Sequence, residues 1–214
     1  MHSTLRFVVP AMLAVCAGAS GLAQAQDSTV KAGAIYYQTH AKTNGITGIG
    51  IPPGADATVG NATTLVLAYE YALSPNVGVE LVLGVPPKIK AQAAGSVAFL
   101  GDLLAARIVA PTLLFNYHFG APGSPLRPYV GIGINYTRFT NATTPYGWDV
   151  NVSDSTGLAG HVGLDWSIDK QWGLFASIGA SQVRSELTAT GATVLRSTID
   201  FRPVTYTLGA SYRF

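Results

Sequence analysis

Polar and apolar side chains alternate along most of the chain. Leu65, Leu67, Tyr69, Tyr71 and Leu73 fall on one face of an extended segment, with Thr64, Val66, Ala68, Glu70 and Ala72 between them. Ser74-Pro75-Asn76 reads as a tight turn, and Val77, Val79, Leu81, Leu83 and Val85 then resume the apolar face against Gly78, Glu80, Val82 and Gly84. A period of two is that of a β-strand with two unlike faces. The pattern returns at Leu113, Phe115, Tyr117 and Phe119, at Val130, Ile132, Ile134 and Tyr136, and at Leu158, Val162, Leu164, Trp166 and Ile168. Another strand begins at Trp172, and the last carries Val204, Tyr206, Leu208, Ala210, Tyr212 and Phe214 on one face. A first strand over residues 29–39 is weaker in pattern, which brings the expected number to eight.

The connections alternate in length. Those at residues 74–76, 120–125 and 169–171 are short; those at 40–62, 86–106, 140–155 and about 188–196 are long. After Gln26 no run of 18 apolar residues occurs, so a membrane helix is not expected. Short turns at one end and long loops at the other are the layout of outer-membrane barrels. A soluble eight-stranded barrel shares the alternation but turns its apolar face inward, and alternation cannot choose between the two. Two features favour the membrane: Tyr71, Tyr117, Trp166, Trp172 and Tyr212 near strand ends suit an interfacial aromatic girdle, and Tyr212 and Phe214 give the terminal aromatic signal that bacterial barrels present to their assembly machinery. The expected fold class is all-β, an eight-stranded antiparallel transmembrane β-barrel with long extracellular loops and short periplasmic turns.

Composition agrees. Of 214 residues only 11% are charged, against roughly a quarter in an ordinary soluble domain, so something other than water solvates part of the surface. The formal net charge of +2 offers no field for nucleic acid or acidic substrates. At the start, His2 and Arg6 precede an apolar stretch over residues 7–19, and Ala23-Gln24-Ala25 supplies small residues at the positions a signal peptidase reads. Residues 1–25 are therefore expected to be a cleaved secretory signal, and 26–214 a single barrel. The apolar stretch is short for a membrane anchor. Leu13-Ala14-Val15-Cys16 resembles a lipobox, but Val15 is bulkier than the residue that usually precedes a lipidated cysteine. Cys16 is the one cysteine, so residues 26–214 hold no disulfide and no cysteine metal site.

Several of these segments resemble the OmpW family of small outer-membrane barrels, which includes the AlkL-type proteins. Leu126-Arg127-Pro128-Tyr129-Val130-Gly131-Ile132-Gly133-Ile134-Asn135-Tyr136-Thr137 is similar to the family's most recognisable strand, and Val77-Gly78-Val79-Glu80-Leu81 to its third. Ala110-Pro111-Thr112-Leu113 sits where the family often has two prolines; residues 157–165 and the ending Gly209-Ala210-Ser211-Tyr212-Arg213-Phe214 also fit. Two departures are that Ala110 replaces one proline of the pair and that the loop over residues 86–106 is unusually apolar. The resemblance implies passage of small hydrophobic molecules across the outer membrane, with no catalysis and no cofactor. It also implies lipid, lipopolysaccharide, apolar solutes and the assembly machinery as partners, and a monomer.

An eight-stranded barrel is just wide enough for its own side chains to fill. The charged residues whose alternation turns them inward, Glu70, Glu80, His118, Asp165 and Arg213, collect at the short-turn end. They read as a structural plug that neutralises itself, with a proton relay or binding site as the alternative. At the other end the loops are apolar: Ile46, Ile49, Ile51, Val97, Phe99, Leu100, Leu103, Leu104, Ile108 and Val109. These read as a hydrophobic entrance, or else as a cap or a continuation of the strands. Phe99 with Leu103, and Leu100 with Leu104 and Ile108, stand at i, i+4 spacing, which predicts a short amphipathic helix over residues 97–108. The glycine clusters at 131–133 and 157–163 lie within strands and are not followed by a helix, so they do not read as dinucleotide loops. His40, His118 and His161 lie on separate segments and predict no metal; no nucleophile motif accompanies His161 to make a lipid acyl hydrolase. The rival functional reading is a structural or surface-interaction barrel acting through its extracellular loops, which the glycine-rich segment 45–60 fits equally.

Overall fold

A computed structural model of the chain describes residues 28–191 and 194–214. The predicted signal at residues 1–25 lies outside the described residues. Eight strands form the wall: β1 (Ser28–Gln38), β2 (Ala62–Ser74), β3 (Val77–Gly84), β4 (Thr112–His118), β5 (Leu126–Thr143), β6 (Ser155–Ser167), β7 (Trp172–Ser181) and β8 (Val204–Arg213). Each pairs antiparallel with its neighbour in sequence, and β8 returns to β1 from Thr29↔Arg213 to Gln38↔Val204, which closes the barrel. Closure removes the sheet edges that an open sheet would leave unpaired in lipid.

The open choice between inward and outward apolar faces is settled by exposure. Leu65, Ile132 and Leu208 are 65%, 67% and 66% exposed on the outside of the wall, and the other large apolar residues of the alternating rows join them there. A belt of exposed leucine, isoleucine, phenylalanine and tyrosine around a barrel is a lipid-facing surface. Inside stand smaller or mixed residues, among them Ile35, Val66, Ala68, Leu114, Tyr129 and Phe175. A narrow barrel needs small residues where strands and rings press together. At the β1–β8 seam Gly33 lies opposite Gly209, and a Cβ on Gly209 would stand 2.7 Å from both the Gly33 Cα and the Phe175 ring.

At the short-turn end the aromatic residues stack edge to face: Trp172 on Tyr212 at 4.9 Å, Tyr212 on Phe214 at 5.1 Å, and Tyr117 on Phe119 at 5.0 Å between ring centres. The Phe214 N–H also donates to the Ser28 carbonyl at 3.0 Å, tying the last residue to the first described strand.

The opposite end differs from the expected loops. Ala55–Val59, Lys88–Gly95 and Asp102–Val109 are strands paired in series onto the upper part of β5. Asp149–Val152, Val183–Thr190, Val194–Phe201 and Lys42–Thr43 make a second series. The two meet where the Thr43 hydroxyl donates to Asp56 and the Ile46 N–H to the Ala55 carbonyl. The wall thus continues well beyond the eight-strand ring. The helix expected over residues 97–108 is not formed. Residues 98–100 make one 3₁₀ turn, and strand follows from Asp102. Leu100, Leu104 and Ile108 are four apart, which is also an even number of residues in a strand, and pairing on both edges of Asp102–Val109 decides for the strand.

Candidate functional site

The interior has a charged lower part and an apolar upper part. In the lower part Lys31, from the weakly patterned β1, is 1% exposed with its ammonium 2.9 Å from Glu70 Oε2, 3.6 Å from Glu80 Oε1 and 3.5 Å from Asp165 Oδ1. His118 sets Nε2 2.6 Å from Glu70 and Nδ1 3.3 Å from Asp165. The Asn116 amide donates to Glu80 at 2.7 Å and to Glu70 at 3.2 Å, and its carbonyl oxygen lies 2.8 Å from His161 Nε2. Tyr129 covers the ammonium at 4.7 Å from its ring centre, the geometry of a cation–π contact. The cluster draws on β1 to β6, with Asn116 and His118 both on β4 and His161 and Asp165 both on β6.

Four of the five residues grouped from the sequence, Glu70, Glu80, His118 and Asp165, do come together. Arg213 does not. Its alternation points it inward, but it is the last residue of β8 and stands exposed at the rim, where the wall has ended. The cation of the cluster is Lys31 instead. The signal for it was available: a lone lysine in a membrane strand must face the lumen, and the acids of β2 and β3 stand at that depth. Glu70, His118 and Asp165 offer ligand atoms within 4.8 Å of one another, yet the same atoms are engaged by Lys31 and by each other.

Above the cluster three cavities follow one another. The lowest, about 1110 Å³ counted to its open boundary, has Glu80, Tyr129 and His161 in its lining and otherwise mostly apolar walls. It shares Ile89, Ile108, Phe139 and Phe201 with a neck of about 360 Å³. The Phe139 and Phe201 rings pack together in its wall, 5.8 Å between ring centres. The neck in turn shares Ala91, Leu104, Leu187 and Ile199 with a vestibule of about 760 Å³ among the extension strands.

Of the sequence-predicted entrance residues, Ile46, Ile51, Val97, Leu100, Leu103 and Leu104 border the vestibule. Leu103 and Leu104 both reach it because the ladder slips there: Leu104 pairs with Ala91 but Asp102 with Gln92. Ile49 and Phe99 stand outside at loop tips, 87% and 83% exposed. Trp148, Leu187 and Leu195 also line the vestibule; Trp148 lies on the connection between β5 and β6 and the two leucines on that between β7 and β8, and no motif in the sequence brings the two together. On the outer rim, Lys90 at 2.7 Å, with Gln92, holds the Asp102 carboxyl below its ordinary range.

This barrel matches known proteins over nearly its whole length. A profile of the OmpW family covers residues 24–214. The chain belongs to the OmpW family. It is 34% identical over 168 residues to outer membrane protein W of Escherichia coli (73% of this chain, 76% of that protein). It is 30% identical over 168 residues to outer membrane protein AlkL of Ectopseudomonas oleovorans (78% and 73%). The crystal structure of OprG from Pseudomonas aeruginosa superposes with a TM-score of 0.83 at 26% identity, covering 89% of this chain and 96% of that one. This OmpW-family chain is accordingly an outer-membrane barrel embedded in the lipid bilayer, with its short turns on the periplasmic side and the vestibule outside the cell.

Proposed function

We propose that this OmpW-family barrel gives small hydrophobic molecules passive passage across the outer membrane. The observation that carries the reading is the succession of three mostly apolar cavities: vestibule, neck and interior adjoin through shared lining residues, with the charged cluster at the inner end. The hydrated polysaccharide outside obstructs apolar solutes, and a vestibule that stands above the bilayer collects them beyond it. The charged cluster acts as a plug. Its buried ions satisfy one another across the lumen, so solute cannot continue axially to the periplasm without breaking them.

Exit is then sideways. The β3–β4 ladder runs from Val77↔Tyr117 to Val82↔Thr112. The next bond across this seam is Ile108 N–H to the Pro87 carbonyl. Between them Pro86 and Pro111 have no N–H to donate. A cavity of about 310 Å³ lined by Tyr37, Gly84, Pro87, Ile89, Ile108 and Ala110 lies at this interruption and shares these walls, apart from Pro87, with the interior. Solute leaving here enters lipid directly. The barrel acts as a monomer, meets lipopolysaccharide with its outer face, and is handed to the assembly machinery through Tyr212 and Phe214.

The test is uptake of radiolabelled naphthalene and of a hydrophilic sugar by cells with and without the protein. Faster uptake of naphthalene alone, abolished by Leu103→Asp with Leu104→Asp in a barrel that still assembles, supports the conduit. Equal uptake of every solute refutes it. The surface-interaction reading would then lead, with Ile49 and Phe99 at the loop tips as the contact residues.

A further inference from the structure

Four cations stand together on the outside of the wall where the upper extension begins. Lys88 and Lys90 lie on Lys88–Gly95, Arg107 on Asp102–Val109 and Arg138 on β5, three strands that pair side by side. Their neighbours Ile89, Ile108 and Phe139 line the neck, so alternation turns the four outward, and all are exposed. Lys88 pairs directly with Arg107. Arg138 is diagonal to Arg107, since Arg107 pairs with Thr140 and Val109 with Arg138. Like charges directly opposite one another in a ladder destabilise it. Two carboxylates reach the group, Asp102 at 2.7 Å from the Lys90 ammonium and Asp154 at 4.0 Å from Arg138 Nε. Neither serves Lys88 or Arg107, which have no ion-pair partner among the described residues. Elsewhere on the extension the charges are matched: Arg184 pairs across its ladder with Asp200, which also holds Arg202 at 2.7 Å.

The height of this row points to what answers it. Along β5, Ile132, Ile134 and Tyr136 face lipid, and Arg138 follows two residues on, about 7 Å further along the strand. Tyrosines mark the membrane interface, so Arg138, Arg107 and Lys88 stand level with the headgroups of the outer leaflet. We infer that the row binds a phosphate of lipopolysaccharide. The phosphorylated sugar sits over Lys88, Arg107 and Arg138, and the acyl chains run down past Val109 and Ile134, which are exposed below it. Guanidinium groups take phosphate oxygens two at a time, and an ammonium adds a point charge. A phosphate monoester carries about −1.5 to −2 charge at pH 7, so it answers both unpaired cations, Lys88 and Arg107. The single charge of a phospholipid diester answers only one. Lipopolysaccharide contact thereby gains a definite site, which holds whether or not apolar solutes pass through the barrel.

The experiment titrates the full barrel, folded in maltoside micelles with EDTA present, with lipid A, the phosphorylated anchor of lipopolysaccharide. Bound lipid is counted by native mass spectrometry, and folding of each variant is checked by gel mobility. Parallel titrations use lipid A stripped of its phosphates, which keeps the sugars and chains, and phosphatidylglycerol, which carries one phosphodiester. The native barrel should bind lipid A about ten-fold more tightly than either. Lys88→Gln with Arg107→Gln should lose that margin, and each substitution alone should lose roughly three-fold. Arg184→Gln with Arg202→Gln is the control. It removes as much positive charge elsewhere on the extension and should bind like the native barrel. Equal binding of lipid A and either comparison lipid overturns the inference. So does a Lys88→Gln, Arg107→Gln barrel that binds like native, or a loss that the control reproduces. Naphthalene uptake by cells would stand or fall separately, because the row lies outside the cavities.

Discussion

Replacing Lys31 with methionine should destabilise the barrel more than any other single change in the charged cluster. Its ammonium lies 2.9, 3.6 and 3.5 Å from three carboxylates, gross attractions of about 6, 5 and 5 kcal/mol at an effective dielectric of 20. Desolvating the four ions takes back several kcal/mol for each, so the cluster as a whole is worth far less than that sum. Removing the lysine alone, however, keeps the carboxylates buried and takes away the cation among them. The expected cost is about 3–5 kcal/mol, the range for breaking one side of a buried ion pair. Methionine keeps most of the stem that packs under Tyr129 and Phe175, so the loss reports charge rather than volume. The assay is urea titration of the barrel in lipid vesicles, with folded and unfolded fractions separated by gel mobility. Adding Glu70→Gln, Glu80→Gln and Asp165→Asn to Lys31→Met should recover most of the loss, because no uncompensated charge then remains. A single variant within about 1 kcal/mol of native, or a neutralised variant as unstable as the single one, would refute the reasoning.

Three further outcomes are expected. Phe201→Ala should widen the neck and raise naphthalene uptake at a stability cost of about 2 kcal/mol, below the usual range for a core phenylalanine because the ring already borders empty space; unchanged uptake would show that the two rings do not limit passage. Deleting Phe214 should lower the fraction of newly made chain that reaches the folded, membrane-inserted form in a pulse-chase, and full assembly would remove the terminal-signal argument. In the periplasmic turn, the N–H groups of Trp172 at 2.6 Å and Gln171 at 2.8 Å hold the exposed Asp169 carboxyl below its ordinary range. A depressed carboxyl stabilises the fold above its unfolded pKa of about 4 and ceases to do so as pH falls through its folded value. The urea midpoint of Asp169→Ala should therefore lie below native at pH 7 and converge on it in acid, and a gap that does not vary with pH would exclude the carboxylate.

How much was legible in the sequence follows from which interactions are local. Alternation at Leu65–Leu73 or Val204–Phe214 is written in consecutive residues, so the strands, their number and the short turns could be read directly. The upper extension could not. Residues 102–109 become strand because Lys88–Gly95 and the end of β5 pair with both of their edges, and a spacing of four fits helix and strand alike. The same limit governs the two parts of the candidate site. Glu70, Glu80, His118 and Asp165 could be gathered from inward parity and depth, whereas Arg213 failed because parity says nothing about where the wall ends. Lys31 was passed over because β1 is poorly patterned, although the cost of a lysine facing lipid fixes its direction without any pattern. In a membrane barrel, then, the few charged residues are better guides to register than the many apolar ones. An apolar residue is tolerated on either face, while a charge has only the lumen, and a lumen this narrow obliges it to meet its opposite.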